Sequence, residues 1–181
     1  TLHTVTAPPA KSEFIYALSK RVTGIVVHTP SAAAQIIGRV SATTVIPHGV
    51  REPTLVPIPD SDLFVCPGFV SSSKGHLEIL QGYADYAGRQ PGHGHRLKIV
   101  GLCRDFIYQQ KLEQEINTLG LETRVIFENK FLTDNALIEE IANASAVILG
   151  CKDKTSPHSA SGQLALALSC GVQKKKKNVP I

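Results

Sequence analysis

Methionine is missing from all 181 residues, so Thr1 is not a translation start. The opening Leu2-His3-Thr4-Val5 reads as the end of a strand entering a loop, and the expectation is a fragment whose beginning is missing. No apolar run approaches the roughly 20 residues of a membrane span, and the N-terminus lacks the charged and apolar regions of a signal peptide. These absences point to a soluble, cytoplasmic chain. Cysteine occurs four times, at Cys66, Cys103, Cys151 and Cys170, with no Cys-x-x-Cys pair; this argues against zinc, a redox dithiol or a disulfide framework and predicts buried free thiols. The seven histidines lack His-x-x-x-His spacing, and His93 and His95 flank Gly94 in a Gly/Pro-rich turn that reads as a solvated loop rather than a metal site. An excess of one charge sign is also missing. The formal charge of +4 equals the run Lys174 to Lys177, so the rest of the chain is electroneutral and offers no basic field for nucleic acid or anionic membrane.

What the sequence does hold is a regular alternation. A chain of this length buries roughly two thirds of its unfolded surface, so a stable core needs no staples. Lys11 to Arg21 has helical spacing (Phe14, Ile15, Leu18, Val22) with Ser12 as N-cap; Gly24 to Thr29 is a short β-branched strand; Ser31 is expected to cap a helix over Ala32 to Ile37; Thr44 to Pro47 is a strand stopped by proline. Residues 51 to 62 carry Pro53, Pro57 and Pro59 and read as an extended connector. From Leu63 the order is strand Leu63 to Cys66, helix Lys74 to Ala87, strand Leu97 to Val100, helix Asp105 to Leu119, strand Arg124 to Phe127, helix Thr133 to Ala144, strand Ala146 to Gly150 and helix Ser161 to Cys170. Short apolar strands alternating with helices specify a parallel sheet covered on both faces. The fold class is therefore α/β, a Rossmann-like parallel sheet with helices on both faces plus part of a second Rossmann-like domain. The boundaries are a partial first domain over 1–52, a linker over 53–62, a main domain over 63–171 and a tail over 172–181.

Such sheets bind ligands beyond the C-terminal ends of their strands, which directs attention to three loops. Gly68-Phe69-Val70-Ser71-Ser72-Ser73-Lys74-Gly75 lies between strand and helix. Backbone N–H groups at a helix start, small residues and one ammonium make a phosphate cradle there; a plain serine-rich turn with a surface lysine is the other reading, and no P-loop pattern is present. Ser156-Pro157-His158-Ser159-Ala160-Ser161-Gly162 precedes a second apolar helix, where Ser159 or Ser161 serves either an anion or only the N-cap. Two anion-competent helix ends on one sheet edge fit a diphosphate better than either does alone. Val45 to Val50 (VIPHGV) is the third, with His48 read as a turn residue when taken by itself.

The ordered series VIPHGV at 45–50, FVCPGFVSSSKG at 64–75, LKIVG at 97–101, RVIF at 124–127, LTDNALIEEIANASAV at 132–147 and SASGQLALALSCG at 159–171 resembles the C-terminal half of a family 4 glycosyltransferase of the GT-B fold. The match in order and spacing covers about residues 40 to 171. The resemblance implies two Rossmann-like domains facing a cleft, a nucleotide-diphosphate sugar as donor substrate, transfer with retention of configuration, and no cofactor or metal. It implies nucleotide-sugar contacts at Gly68, Ser73, Lys74, Ser159, Ser161 and Gly162, with Lys74 matching the lysine that neutralises the diphosphate. The arginine that usually accompanies it is replaced near Phe69. Two glutamates common in the family fall, on alignment to Gly171, near His158 and Leu166, neither acidic; the Ser-x-Ser-Gly form resembles a mannosyltransferase-like subgroup. Catalytic residues are not identified, His3 and His158 being the candidates, and a strand-end histidine held by backbone contacts is the other reading of His3. The resemblance implies a role in polysaccharide biosynthesis, a glycan or lipid-linked acceptor and no nucleic acid; the location expected is cytoplasmic, and the run Lys174 to Lys177 reads as a solvated segment, with peripheral contact at the inner face of the membrane as the other reading. The fragment alone is expected to be inactive. A non-catalytic nucleotide or phosphosugar-binding module is the alternative; an epimerase would need more carboxylates, and a response-regulator-like domain needs an acidic cluster after its first strand, which Leu63 to Ser73 lacks.

Overall fold

The computed structural model describes residues 16–18, 20–36, 42–49, 60–92, 94–150 and 161–170. His3, the connector to residue 59, Cys151, His158, Ser159 and the lysine run lie outside the described residues. The chain divides into two compact units, Thr1–Val50 with Asp153–Gly162, and Arg51–Lys152 with Gln163–Ile181.

In the first unit, residues 16–18 are helical, and strand β1 (Ile25–Val27), helix α1 (Pro30–Ile36) and strand β2 (Thr43–Val45) form one βαβ turn. The strands pair in parallel, Ile25 opposite Thr43. Ile25, Val27, Ala32 and Ile36 are its buried cluster. The helix cap is Thr29 rather than Ser31: the Ala32 N–H donates to Thr29 Oγ1 at 3.0 Å. Pro30 is the reason, since proline sits well at the first helical position and moves the cap one residue ahead of it.

The second unit is a four-stranded parallel sheet. Its strands are β3 (Asp60–Pro67), β4 (Arg96–Val100), β5 (Val125–Glu128) and β6 (Ala144–Val147), in the order β5-β4-β3-β6. Alternation along the strands divides the core in two. Phe64, Cys66, Leu97 and Ile99 face one cluster with Leu80 and Tyr83 of α2 (His76–Arg89) and Tyr108, Leu112 and Ile116 of α3 (Phe106–Thr118). Val65, Val100 and Ala144 face the other side. Ile138, Ile141 and Ala142 of α4 (Asp134–Ala142) cluster with Ala167 of α5 (Gly162–Ser169) and Cys170. The helices obey their sequence signals. The Asp105 carboxylate accepts from the Tyr108 N–H and the Thr133 hydroxyl from the Ala136 N–H, each the N-cap of its helix. Leu80, Leu112 and Ile141 are fully buried, each contributing roughly 1.5–3 kcal/mol by leaving water.

One ion-pair network lies at the half-buried face of the sheet. Lys98, mid-strand in β4, reaches Glu140 of α4 at 2.7 Å and Glu128 at 3.2 Å, while Lys130 reaches Glu128 at 2.5 Å. Hydrogen bonding from Lys130 holds the Glu128 carboxyl below the usual carboxylate range. At the other end of the sheet, His95 is not a solvated loop residue. Its ring stacks on Phe64 with centroids 4.9 Å apart, and its Nδ1 meets the Tyr86 hydroxyl at 3.0 Å.

Three boundaries differ from the sequence reading. Strand β3 begins at Asp60, inside the expected connector. Ser72–Lys74 forms a 3-10 turn, and α2 starts only after Gly75, whose φ of +67° separates the two. Strand β6 starts at Ala144, where the helix was expected to end, because pairing with β3 outweighs alanine's helical preference.

Candidate functional site

All four strands of the second sheet run in parallel, so their C-terminal ends share one edge. The chain passes from β3 outward to β4 and β5, then returns to place β6 on the far side of β3. Strands β3 and β6 therefore flank a topological switch point, beyond which sheets of this kind have their ligand crevice.

The loops around this crevice are drawn together through glycines. After β3, the Gly68 N–H donates to the Val100 carbonyl at 2.9 Å and the Val70 N–H to the Leu102 carbonyl at 3.0 Å, so the β3 loop rides along the β4 loop. A Cβ on Gly101 would overlap the Gly68 carbonyl, and a Cβ on Gly68 would overlap the Gln163 side-chain amide. Both glycines sit at positive φ, +153° and +101°, where side chains are strained. A Cβ on Gly150, just past β6, would overlap the Lys74 carbonyl. The start of α5, the end of β4 and the segment after β6 thus all press on the loop from Gly68 to Gly75.

That loop carries the charge. Ser71 and Ser73 hydroxyls are 3.0 Å apart, and the Lys74 N–H closes the turn on the Ser71 carbonyl at 3.0 Å. The Lys74 ammonium makes no ion pair with a described residue. Helix α2 then starts on Gly75, which offers no side-chain cap; its first-turn N–H groups lie at the positive end of the dipole, those of His76 and Leu77 on the side of the Tyr108 hydroxyl. Burial pushes the Cys66 thiol up to about 12 despite the nearby Lys74 cation, so this cysteine is an inert core residue. The neighbouring β4 and β5 loops are locked by Asn129. Its Oδ1 accepts from the Cys103 N–H at 2.8 Å, and its Nδ2 donates to the Cys103 carbonyl at 3.1 Å and to Gln109 Oε1 at 2.6 Å.

Of the residues expected at the site, Gly68, Ser73 and Lys74 share one loop, and Gly162 opens α5 directly after Ser161. Sequence reasoning missed Gln163, Gly101 and Gly150, which shape the crevice, and Asn129, which fixes its flank. Gln163 follows the Ser-x-Ser-Gly pattern by one residue; Gly101 directly follows β4 and Gly150 lies three residues past β6, both in loops leaving strands where glycine signals close backbone approach. Leu166 packs against the α4 cluster. Phe69, where an arginine was expected, is 58% exposed.

Several solved structures have the same architecture. Anabaena HepE, in complex with UDP and glucose, superposes with a TM-score of 0.66 at 21% identity, over 91% of this chain and 47% of that one. A UDP-forming alpha,alpha-trehalose-phosphate synthase from Burkholderia xenovorans gives 0.65 at 15% identity, over 83% and 46%. TarM of S. aureus, in complex with Fondaparinux, alpha-GlcNAc-glycerol and UDP, gives 0.60 at 11% identity, over 81% and 30%. No protein-family model and no curated protein matches the sequence. The chain thus spans less than half the length of each of these three structures. The fold is that of the GT-B glycosyltransferases, an α/β architecture of parallel sheets and helices. Among the described residues no helix is long and apolar enough to cross a membrane.

Proposed function

We propose that this chain is the donor-binding part of a retaining glycosyltransferase, a hexosyltransferase that moves mannose or a similar hexose from a nucleotide-diphosphate sugar to a glycan or lipid-linked acceptor. One observation carries the reading: an ammonium with no ion-pair partner among the described residues and a helix start without a side-chain cap lie on the loop leaving β3, beside the switch point. The fold is shared with Anabaena HepE, whose structure is in complex with UDP and glucose. The diphosphate would meet the Lys74 ammonium and the Ser73 hydroxyl. As the bond to the anomeric carbon breaks, negative charge grows on the departing diphosphate. Fixed donors and a cation at that position stabilise it more than they stabilise the bound donor, which is the electrostatic contribution usually largest in enzymes. No cofactor or metal takes part in this reading, and Lys74 supplies the one side-chain cation of the loop.

Titration of the 181-residue chain with UDP, GDP and their hexose conjugates tests it. Lys74→Ala is expected to raise the Kd about tenfold or more, since a charge-assisted contact contributes roughly 1.5–3 kcal/mol; an unchanged Kd overturns the assignment of Lys74. A second reading, a nucleotide or phosphosugar-binding module without catalysis, is favoured by Leu166, a partly buried apolar residue packed against the α4 cluster at a place where the family commonly has a carboxylate. Sugar-nucleotide hydrolysis assayed with and without a lipid-linked acceptor, on a chain that includes the preceding domain, separates the two. Binding without turnover supports the module.

A further inference from the structure

Behind the Lys74 turn lies an imidazole that the reading above does not use. His76, the first residue of α2, is 2% exposed, and no other described histidine, lysine, arginine or carboxylate is buried. Its Nδ1 is 3.3 Å from the Ser71 carbonyl. A carbonyl only accepts, so Nδ1 carries the hydrogen and donates it. The same carbonyl accepts the Lys74 N–H at 3.0 Å. The ring lies edge-on to Tyr108 of α3, centroids 6.4 Å apart. Tyr108 is itself 5% exposed. Its buried hydroxyl has no hydrogen-bond partner among the described residues. A leucine would fill this space without a desolvation cost, so a buried imidazole with one specific bond calls for a reason. The bond supplies one: it ties the start of the Ser71–Gly75 turn to the core, while the ammonium emerges from the other end.

Resting on the nucleotide-sugar reading, we propose that His76 is a positioning residue for the diphosphate: its Nδ1–H fastens the turn from inside and so fixes where the Lys74 ammonium stands. The imidazole does not touch the ligand. It sets the geometry of a group that does, and its removal lowers diphosphate affinity without altering recognition of the nucleoside. Burial, reinforced by the Lys74 cation, lowers the ring's tendency to protonate, in keeping with a neutral donor.

The experiment compares the wild-type chain, His76→Leu and His76→Asn in binding of UDP, uridine and inorganic pyrophosphate, with amide hydrogen exchange of residues 71–75 measured alongside. His76→Leu is expected to weaken UDP and pyrophosphate about tenfold, as for loss of roughly one well-placed charge contact, and to speed exchange at Lys74 while Leu112 in α3 keeps its protection. Uridine affinity stays unchanged. His76→Asn, whose side-chain N–H can reach the Ser71 carbonyl, restores both. His76→Leu binding UDP as wild type does, losing UDP and uridine in equal measure, or failing to be rescued by asparagine overturns the proposal. A wild-type chain that binds neither UDP nor pyrophosphate overturns the nucleotide reading and the positioning role with it, and this is seen before any variant is made.

Discussion

Gly101→Ala is the sharpest single perturbation the fold offers. Gly101 leaves β4 at a φ of +153°, a backbone that costs an alanine on the order of 1–3 kcal/mol. Its new Cβ would also overlap the Gly68 carbonyl. Gly68 has no room to retreat, because it sits at positive φ beneath the Gln163 amide. Separation of the two loops would open the bonds from Gly68 N–H to Val100 and from Val70 N–H to Leu102, each worth about 1 kcal/mol. The sum is about 3–5 kcal/mol, a large share of the 5–15 kcal/mol typical of a domain. The chain has no tryptophan, so urea unfolding followed by far-ultraviolet circular dichroism is the suitable assay. Gly88→Ala is the matched control: Gly88 lies inside α2, and a Cβ there meets nothing within 4 Å. That variant is expected to gain about 0.5–1 kcal/mol from helix propensity alone. The reasoning is refuted if Gly101→Ala unfolds within about 1 kcal/mol of wild type, or if the two variants shift the midpoint in the same direction.

Other expectations follow from the same contacts. Asn129→Asp keeps the acceptor for the Cys103 N–H but turns two donated bonds into repulsions; a loss of about 1–3 kcal/mol is expected by denaturant titration, with faster amide exchange in the β4 and β5 loops. Lys98→Met leaves Glu140 and Glu128 with Lys130 alone. A loss of about 2 kcal/mol, below the range for a fully buried pair because all four groups keep some solvent, is expected, and a double-mutant cycle with Glu140→Gln should show positive coupling. His76 gives stability a pH dependence. Its folded pKa lies below the ordinary 6.5, so the unfolded chain binds the extra proton first; the contribution is complete above 6.5 and is lost as pH falls through that value toward the folded pKa. His76→Asn should flatten that part of the stability curve measured from pH 5 to 8.

The alternating elements were legible because a parallel strand buried on both faces must be a short apolar run, and the helices between carry ordinary caps at Asp105 and Thr133. The errors arose where two signals competed locally. Ser31 looked like a cap until Pro30 is weighed as a first helical residue, and Ala144 favoured helix although its pairing with β3 made it strand. The Lys74 loop was readable because its chemistry is local. Gln163, Gly101 and Gly150 were not, since each matters through what another loop presses against it. His76 carried no signal of its own in the sequence, and His95 read as part of a wet turn; only the packing of α3 against one and Phe64 against the other gave them roles.

Strand β6 has a consequence for how the protein comes into being. Among the described residues it is the last strand in sequence, yet it docks beside β3, the first strand of its sheet: the Ser145 hydroxyl bonds the Leu63 carbonyl across 82 residues of chain. The entropic cost of closing so long a loop grows only as the logarithm of its length, about 0.6 kcal/mol per doubling, so the arrangement is cheap at equilibrium. Its effect is on timing. While the chain emerges from the ribosome, β3, β4 and β5 can assemble with their helices, but the gap between β3 and β6 does not exist until the final strand arrives. Nascent chains halted before Ala144 would therefore hold the Lys74 loop and half the core with no crevice for it to face, and competence to bind would switch on in a single late step.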